Sequence, residues 1–306
     1  MIPALRRLLT SLPTLLVLLT LSFFLMRAAP GGPFDAERSL PPAIEAALVA
    51  EYRLDAPLWR QYLDYLGGLL RGDLGPSFQY EGYRVSELIA AGLPVSMSLG
   101  LLAMSLALLL GGAAGLHAAL NRGRAGDHAV GLLAVLGLVL PGFVIAPLLI
   151  LLFAVQLGWL PAGGWMPGRP SDLVLPVVTL ALPQLAIIAR LSRSSFAEVL
   201  EAPYIRTARA KGLPERLVLL RHALRPALLP ILSYLGPAAA GLLTGSVVVE
   251  QIFDLPGIGR YFVQGALNRD YTLVLGVVLF YGALIVLFNF LVDLAYAALD
   301  PRVRSA

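Results

Sequence analysis

Cysteine is absent from this 306-residue chain, and lysine occurs once, as Lys211. Without cysteine there can be no disulfide, thiolate metal site or thiol nucleophile. The lone lysine, in Ala210-Lys211-Gly212, cannot complete a Walker A phosphate loop, which needs Gly-Lys-Ser/Thr. Charge is also scarce. Asp, Glu, Lys and Arg make up 14% of the residues, against about 25% in soluble domains. With 58% hydrophobic residues, the missing polar surface must face something other than water. This argues against a soluble globular enzyme, a disordered chain and a nucleic-acid-binding domain. The three histidines, His117, His128 and His222, have no partner at metal-ligand spacing. A G-x-S-x-G elbow is missing as well.

What is present is a set of long uncharged runs. A helix needs about 20 apolar residues to cross the hydrocarbon core. Six stretches qualify, at 8–26, 88–121, 129–157, 173–189, 226–249 and 271–292. The expected fold is an all-α integral membrane protein with six transmembrane helices. Ionisable residues inside spans usually mark transporter or pump pathways. Here Glu250 and Asp293 sit only at the ends of spans five and six.

Arginine placement orients the chain. With the N-terminus inside, segments 1–7, 122–128, 190–225 and 293–306 carry 14 of the 23 basic residues. Five of the other nine lie in the long segment 28–87, and long loops count little in the positive-inside rule. Both termini are therefore expected to be cytoplasmic. Arg6 and Arg7 ahead of a 19-residue apolar run read as an uncleaved signal anchor rather than a signal peptide.

The chain divides into 1–27, the N-terminal end and first span; 28–87, an acidic extracytoplasmic segment; and 88–306, a five-helix core. That core includes a cytoplasmic loop at 190–225. In the outer segment, Pro41 and Pro42 can open a helix carrying Ile44, Leu48 and Tyr52. Pro57 can open another, with Trp59, Tyr62, Leu63, Leu66 and Leu70 as its apolar stripe. This segment is a cap on the outer leaflet or a docking surface for an extracytoplasmic partner.

The loop at 190–225 is the most informative segment. Pro203 at a first-turn position, helix formers through Lys211, Gly212 at the C-cap and Pro214 beyond predict an isolated helix of about two turns. It presents Thr207, Ala208 and Ala210, small residues that allow a partner's close approach. Alone, such a helix is marginal. A second feature is Pro256-Gly-Ile-Gly259 after span five, which must turn, with Tyr261, Phe262 and Val263 able to fold back. Prolines 141, 147, 176 and 183 predict kinks in spans three and four.

The stretch Tyr204-Ile205-Arg206-Thr207-Ala208-Arg209-Ala210-Lys211-Gly212 resembles the coupling motif of ABC-importer permeases of the oligopeptide and dipeptide branch. Arg206 stands where the general Glu-Ala-Ala pattern has Glu, as the peptide branch does. His222-Ala-Leu-Arg-Pro226, Gly72-Asp-Leu-Gly-Pro-Ser77, Glu250-Gln-Ile-Phe-Asp-Leu-Pro-Gly-Ile-Gly259, Asn268-Arg-Asp-Tyr271 and Asp300-Pro-Arg302 resemble the same branch in order.

The resemblance implies a type I ABC-importer permease in the bacterial inner membrane, non-catalytic itself. It would pair with a second homologous permease subunit, two cytoplasmic ATPase subunits and an extracytoplasmic peptide-binding protein. ATP and Mg would be bound by the ATPase partners, and no cofactor by this chain. Residues 204–212 would dock the ATPase, and Glu250, Pro256, Gly257 and Gly259 would lie near the outer gate. Cargo would be oligopeptides, with dipeptides, nickel chelates or another peptide-like solute as the alternative. A stand-alone secondary transporter is the reading from a different class.

Overall fold

The computed structural model describes residues 2–28 and 54–299, with side chains from Ser11 onward. The expected helix around Pro41 and Pro42 and the Asp300-Pro-Arg302 motif lie outside these residues. Among the described residues the chain is helical, apart from turns and an isolated bridge between Pro76 and Arg84. The helices are α1 (Ile2–Ala28), α2 (Leu58–Leu69), α3 (Val85–Leu120), α4 (Ala125–Val139), α5 (Gly142–Gln156), α6 (Ser171–Glu201), α7 (Pro203–Ala210), α8 (Glu215–Ile252), α9 (Ile258–Leu267) and α10 (Tyr271–Leu299).

Helices α1, α3, α6, α8 and α10 are each long and apolar enough to cross a membrane. The third expected span is not a straight rod. α4 and α5 meet at 104°, and the count of six holds when this bent pair is one crossing. The break falls at Leu140-Pro141, both extended. Proline has no N–H to continue the ladder of α4 and forces the residue before it out of the helical region.

The chain forms two units. One comprises Met1–Leu5, Met97–Leu255 and Ile285–Ala306; the other comprises Arg6–Ser96 and Pro256–Leu284.

In the first unit α6 is the central helix. Just over half (56%) of its most apolar stretch is buried, more than in any other spanning helix. It packs against α3, α4 and α8, and missing side chains permit the approach. A Cβ on Gly115 would collide with the Ala189 carbonyl and Ser192. One on Gly111 would lie 2.8 Å from the Leu185 carbonyl oxygen. The helix also runs past its apolar stretch to Glu201, burying Ser192, Ser195 and Phe196. The segment expected as a loop at 190–225 is therefore helical almost throughout. Arg190, Arg193 and Glu198 keep one face polar while Phe196 joins Ala119 and Ala227 in a core. Where α8 begins, a π-helical stretch at Val218–Ala223 precedes Pro226. The wider turn accommodates a ring that cannot donate to the ladder.

In the second unit α2 lies on α1. Tyr62, Tyr65, Leu66 and Leu69 pack against Leu19, Phe23 and Leu275, and Thr20 shares a 2.6 Å hydrogen bond with Tyr62. The expected stripe on α2 is only half right. Trp59, Leu63 and Leu70 point outward, exposed by 54–89%, because Tyr65 and Leu69 continue the inward face begun at Tyr62 with helical spacing. Arg27 ends α1 with its guanidinium over the Phe23 ring at 3.8 Å, and its Nε donates to Gln61 Oε1 at 3.0 Å.

Candidate functional site

The short helix expected at 204–212 is present as α7. Ala202 is extended, Pro203 opens the first turn, and Gly212 closes the end at φ +77°. That left-handed conformation favours glycine. Pro214 then starts α8 without extending α7. The loop is short, so α7 is held between the ends of two long helices.

Its inward face is Ile205 and Ala208. Both are buried, with Val218 and Ala223 of α8 and, partly, with Val199 and Leu200 of α6. This corrects one expectation. Ala208 packs on its own chain and does not face a partner. The reason is spacing: Ile205 and Ala208 are three apart and share one face, and Ile205 is the one bulky aliphatic residue of the helix. Tyr204, Arg206, Thr207, Arg209, Ala210, Lys211 and Gly212 are exposed. Arg209 forms a forked ion pair with Glu215 (3.1 Å at Nε). That carboxylate holds the Arg209 guanidinium above its ordinary pKa. The outward surface therefore keeps Arg206 and Lys211 for other contacts, around the small Thr207 and Ala210.

The four residues expected near an outer gate fall in both units. Glu250 is fully buried near the end of α8. The helix is closed by Phe253 N–H to Val249 and Leu255 N–H to Glu250, the second at 2.9 Å. Asp254, at φ 51°, makes the reversal.

Pro256, Gly257 and Gly259 belong to the other unit, where the turn is buried rather than looped into solvent. Gly257 is the extended N-cap of α9, and Ile258 N–H donates to Ser96 Oγ of α3 at 2.9 Å. A Cβ on Gly92 would lie 2.8 Å from Ile258 N and 2.9 Å from the Gly257 carbonyl carbon. The fold-back expected of Tyr261 and Phe262 is present. They cover Val85, Leu88, Ile89, Ile258, Leu273 and Val277.

A structure the sequence reading missed joins two of its motifs. Asp270 is fully buried at the start of α10. Its Oδ2 accepts from Ser77 Oγ, Phe78 N (2.9 Å) and Gln79 N (3.0 Å). Its Oδ1 accepts from Leu273 N at 3.0 Å and lies 3.1 Å from Thr272 Oγ1. Asp270 is thus an N-cap that also gathers the loop at 77–79. An Asp just before the apolar run at Tyr271 was a usable capping signal. Nearby, Gly75 N–H and the Arg84 guanidinium hold the Asp73 carboxyl below its ordinary pKa.

The family described as binding-protein-dependent transport system inner membrane component matches residues 107–305. The chain is 54% identical over 300 residues to the oligopeptide transport system permease protein OppB of Escherichia coli K12, covering 98% of each. It is 52% identical over 299 residues to the protein of the same name from Haemophilus influenzae, again covering 98% of each. The dipeptide transport system permease protein DppB of Bacillus subtilis is 46% identical over 291 residues, covering 95% of this chain and 94% of that one.

Proposed function

We propose, from the premise that the chain belongs to the family of binding-protein-dependent transport system inner membrane components, that it is the permease half of an ATP-driven oligopeptide importer. In this reading it forms one side of the translocation pathway with a second homologous permease subunit. A binding protein delivers peptide outside, and two ATPase subunits bind ATP and Mg inside. Both termini are cytoplasmic, which puts α7 on the ATPase side.

The observation that carries the reading is α7. It is pinned to α6 and α8 by Ile205 and Ala208 and presents the rest of its surface outward. A partner pushing on this face moves two spanning helices together. The lone Lys211 sits in a turn after a short helix, not in a phosphate loop, so the chain leaves hydrolysis to its partners. Scarcity of charge in the spans suits varied peptides, because fixed charges in a dry pathway would select by substrate charge. Dipeptide cargo is a second reading, favoured by the 46% identity to a dipeptide permease.

The test is uptake into vesicles holding this chain, a second permease, the ATPases and peptide-loaded binding protein. Uptake of a labelled pentapeptide should need ATP and every component. Uptake by this chain alone, driven by an ion gradient, would overturn the proposal. Uptake restricted to dipeptides would favour the second reading.

A further inference from the structure

Helices α4 and α6 run antiparallel, since Asp127 meets Arg193 at one end while Gly137 meets Ala186 further along. Asp127 Oδ2 accepts from Arg193 at 2.8 Å and from Gly123 N at 3.0 Å. Asp127 and His128 are the last polar residues before the apolar stretch of α4, and Arg190 is the first charge after that of α6. The ion pair therefore sets both charged-to-apolar boundaries at one level.

A cleft of about 900 Å³ opens there, within the range of about 300–1,000 Å³ found for small-molecule sites. The charged side carries His128, Arg190 and Ser194; Leu132, Val135 and Ile187 lie further along the two helices, away from the ion pair. The charges do not cancel. Asp127 is committed to Arg193, and among the described residues Arg190 has no carboxylate partner. Leu132 and Val135 are 63% and 49% exposed.

We propose that this cleft binds an anionic phospholipid. Its phosphodiester sits against Arg190, and one acyl chain follows Leu132 and Val135. The order of the lining, cationic then apolar across a span boundary, is the order of such a lipid, and basic pockets between spanning helices are suited to anionic headgroups. A free phosphate would satisfy Arg190 but leave the apolar wall uncovered.

The full-length chain, purified in neutral detergent, is titrated with phosphatidylglycerol or phosphatidylcholine of matched acyl chains, and bound lipid is read by native mass spectrometry. Phosphatidylglycerol should be retained about fivefold more than phosphatidylcholine, given the uncompensated charge. Arg190→Gln should erase most of that preference, and Arg190→Lys should keep it. Arg190 is exposed, so neither variant threatens folding. Equal retention of the two lipids, or an unchanged preference in Arg190→Gln, overturns the proposal. Displacement by millimolar inorganic phosphate or glycerophosphoglycerol, which lack acyl chains, overturns it in favour of a free anion. Loss of bound lipid when a second permease subunit is added overturns it in favour of a subunit interface.

Discussion

Ser77 Oγ donates a buried hydrogen bond to Asp270 Oδ2 across 193 residues of sequence. Ser77 lies in the turn between α2 and α3, and Asp270 caps α10. Two further N–H groups, of Phe78 and Gln79, end on the same carboxylate oxygen. The turn at 76–79 and the start of the last helix are thereby held as one piece. Thr272 adds a fourth link by donating to the Pro76 carbonyl.

Asp270→Ala should be among the most damaging single changes in this unit. It strands the buried Ser77 hydroxyl and Leu273 N–H, and each buried unsatisfied group costs about 1–3 kcal/mol. The expected loss is therefore about 3 kcal/mol or more, read as a lower melting temperature of the purified chain and reduced membrane abundance. Ser77→Ala removes one donor and leaves the carboxylate with the N–H groups of Phe78, Gln79 and Leu273, so about 1–2 kcal/mol is expected. Equal, small effects of the two changes would show that the carboxylate does not organise the turn.

Gly92→Val should wedge α3 away from the turn at 256–258, since even a Cβ falls within 3 Å of its backbone. Overpacking of this kind costs about 1–3 kcal/mol. If the turn helps close the outer side of the pathway, vesicles with the variant should leak a fluorescent peptide without ATP. Gly100→Val is the control, because a Cβ there meets nothing within 4 Å. A tight Gly92→Val vesicle would separate the turn from any gate.

How much of this was legible beforehand depends on the range of the interactions. The spans followed from apolar runs, and α7 from Pro203, Gly212 and Pro214, because those signals are local. The lengths of α6 and α8 were underestimated, since charge ends an apolar run but not a helix; Phe196 and Val218 continue the buried face beyond it. The 104° bend was visible only as Pro141, which predicts a kink without its angle. Pairings such as Asp127 with Arg193 and Ser77 with Asp270 join segments 66 and 193 residues apart. Spacing along one chain carries no sign of them. The inward face of α7 was misassigned for a related reason. The small residues were read as a surface for a partner, whereas Ala208 is small because α8 lies against it.

The orientation can be checked independently of transport. A reporter active only in the cytoplasm, fused after Arg304, should be active, and one inserted at Glu81 should be silent. Glu81 is exposed in a turn, so an insertion there disturbs little. The basis is the excess of basic residues at 122–128 and 190–225. An active reporter at Glu81 would reverse the orientation and place α7 outside, away from any ATPase.

Three substitutions in α7 distinguish a docking helix from a structural one. Ala208→Arg puts a charge between α7 and α8 and should destabilise the chain itself, by about 3 kcal/mol or more for an unpaired buried charge. It therefore does not report on docking, and lower membrane abundance is the expected readout. Gly212→Val forces a β-branched residue into the left-handed region, at about 1–3 kcal/mol, and should loosen the exit of α7 while leaving the spans inserted. Ala210→Trp is the informative change. Ala210 is exposed and touches none of the buried cluster around Ile205, so abundance and melting temperature should match the unmodified chain. A bulky ring on the outward face blocks close approach of a groove. Peptide uptake should fall at least about tenfold, the equivalent of about 1.4 kcal/mol of lost coupling, with weaker co-purification of the ATPases. Normal uptake and normal ATPase recovery with Ala210→Trp, at matched abundance, would show that the outward face of α7 contacts nothing that matters for transport.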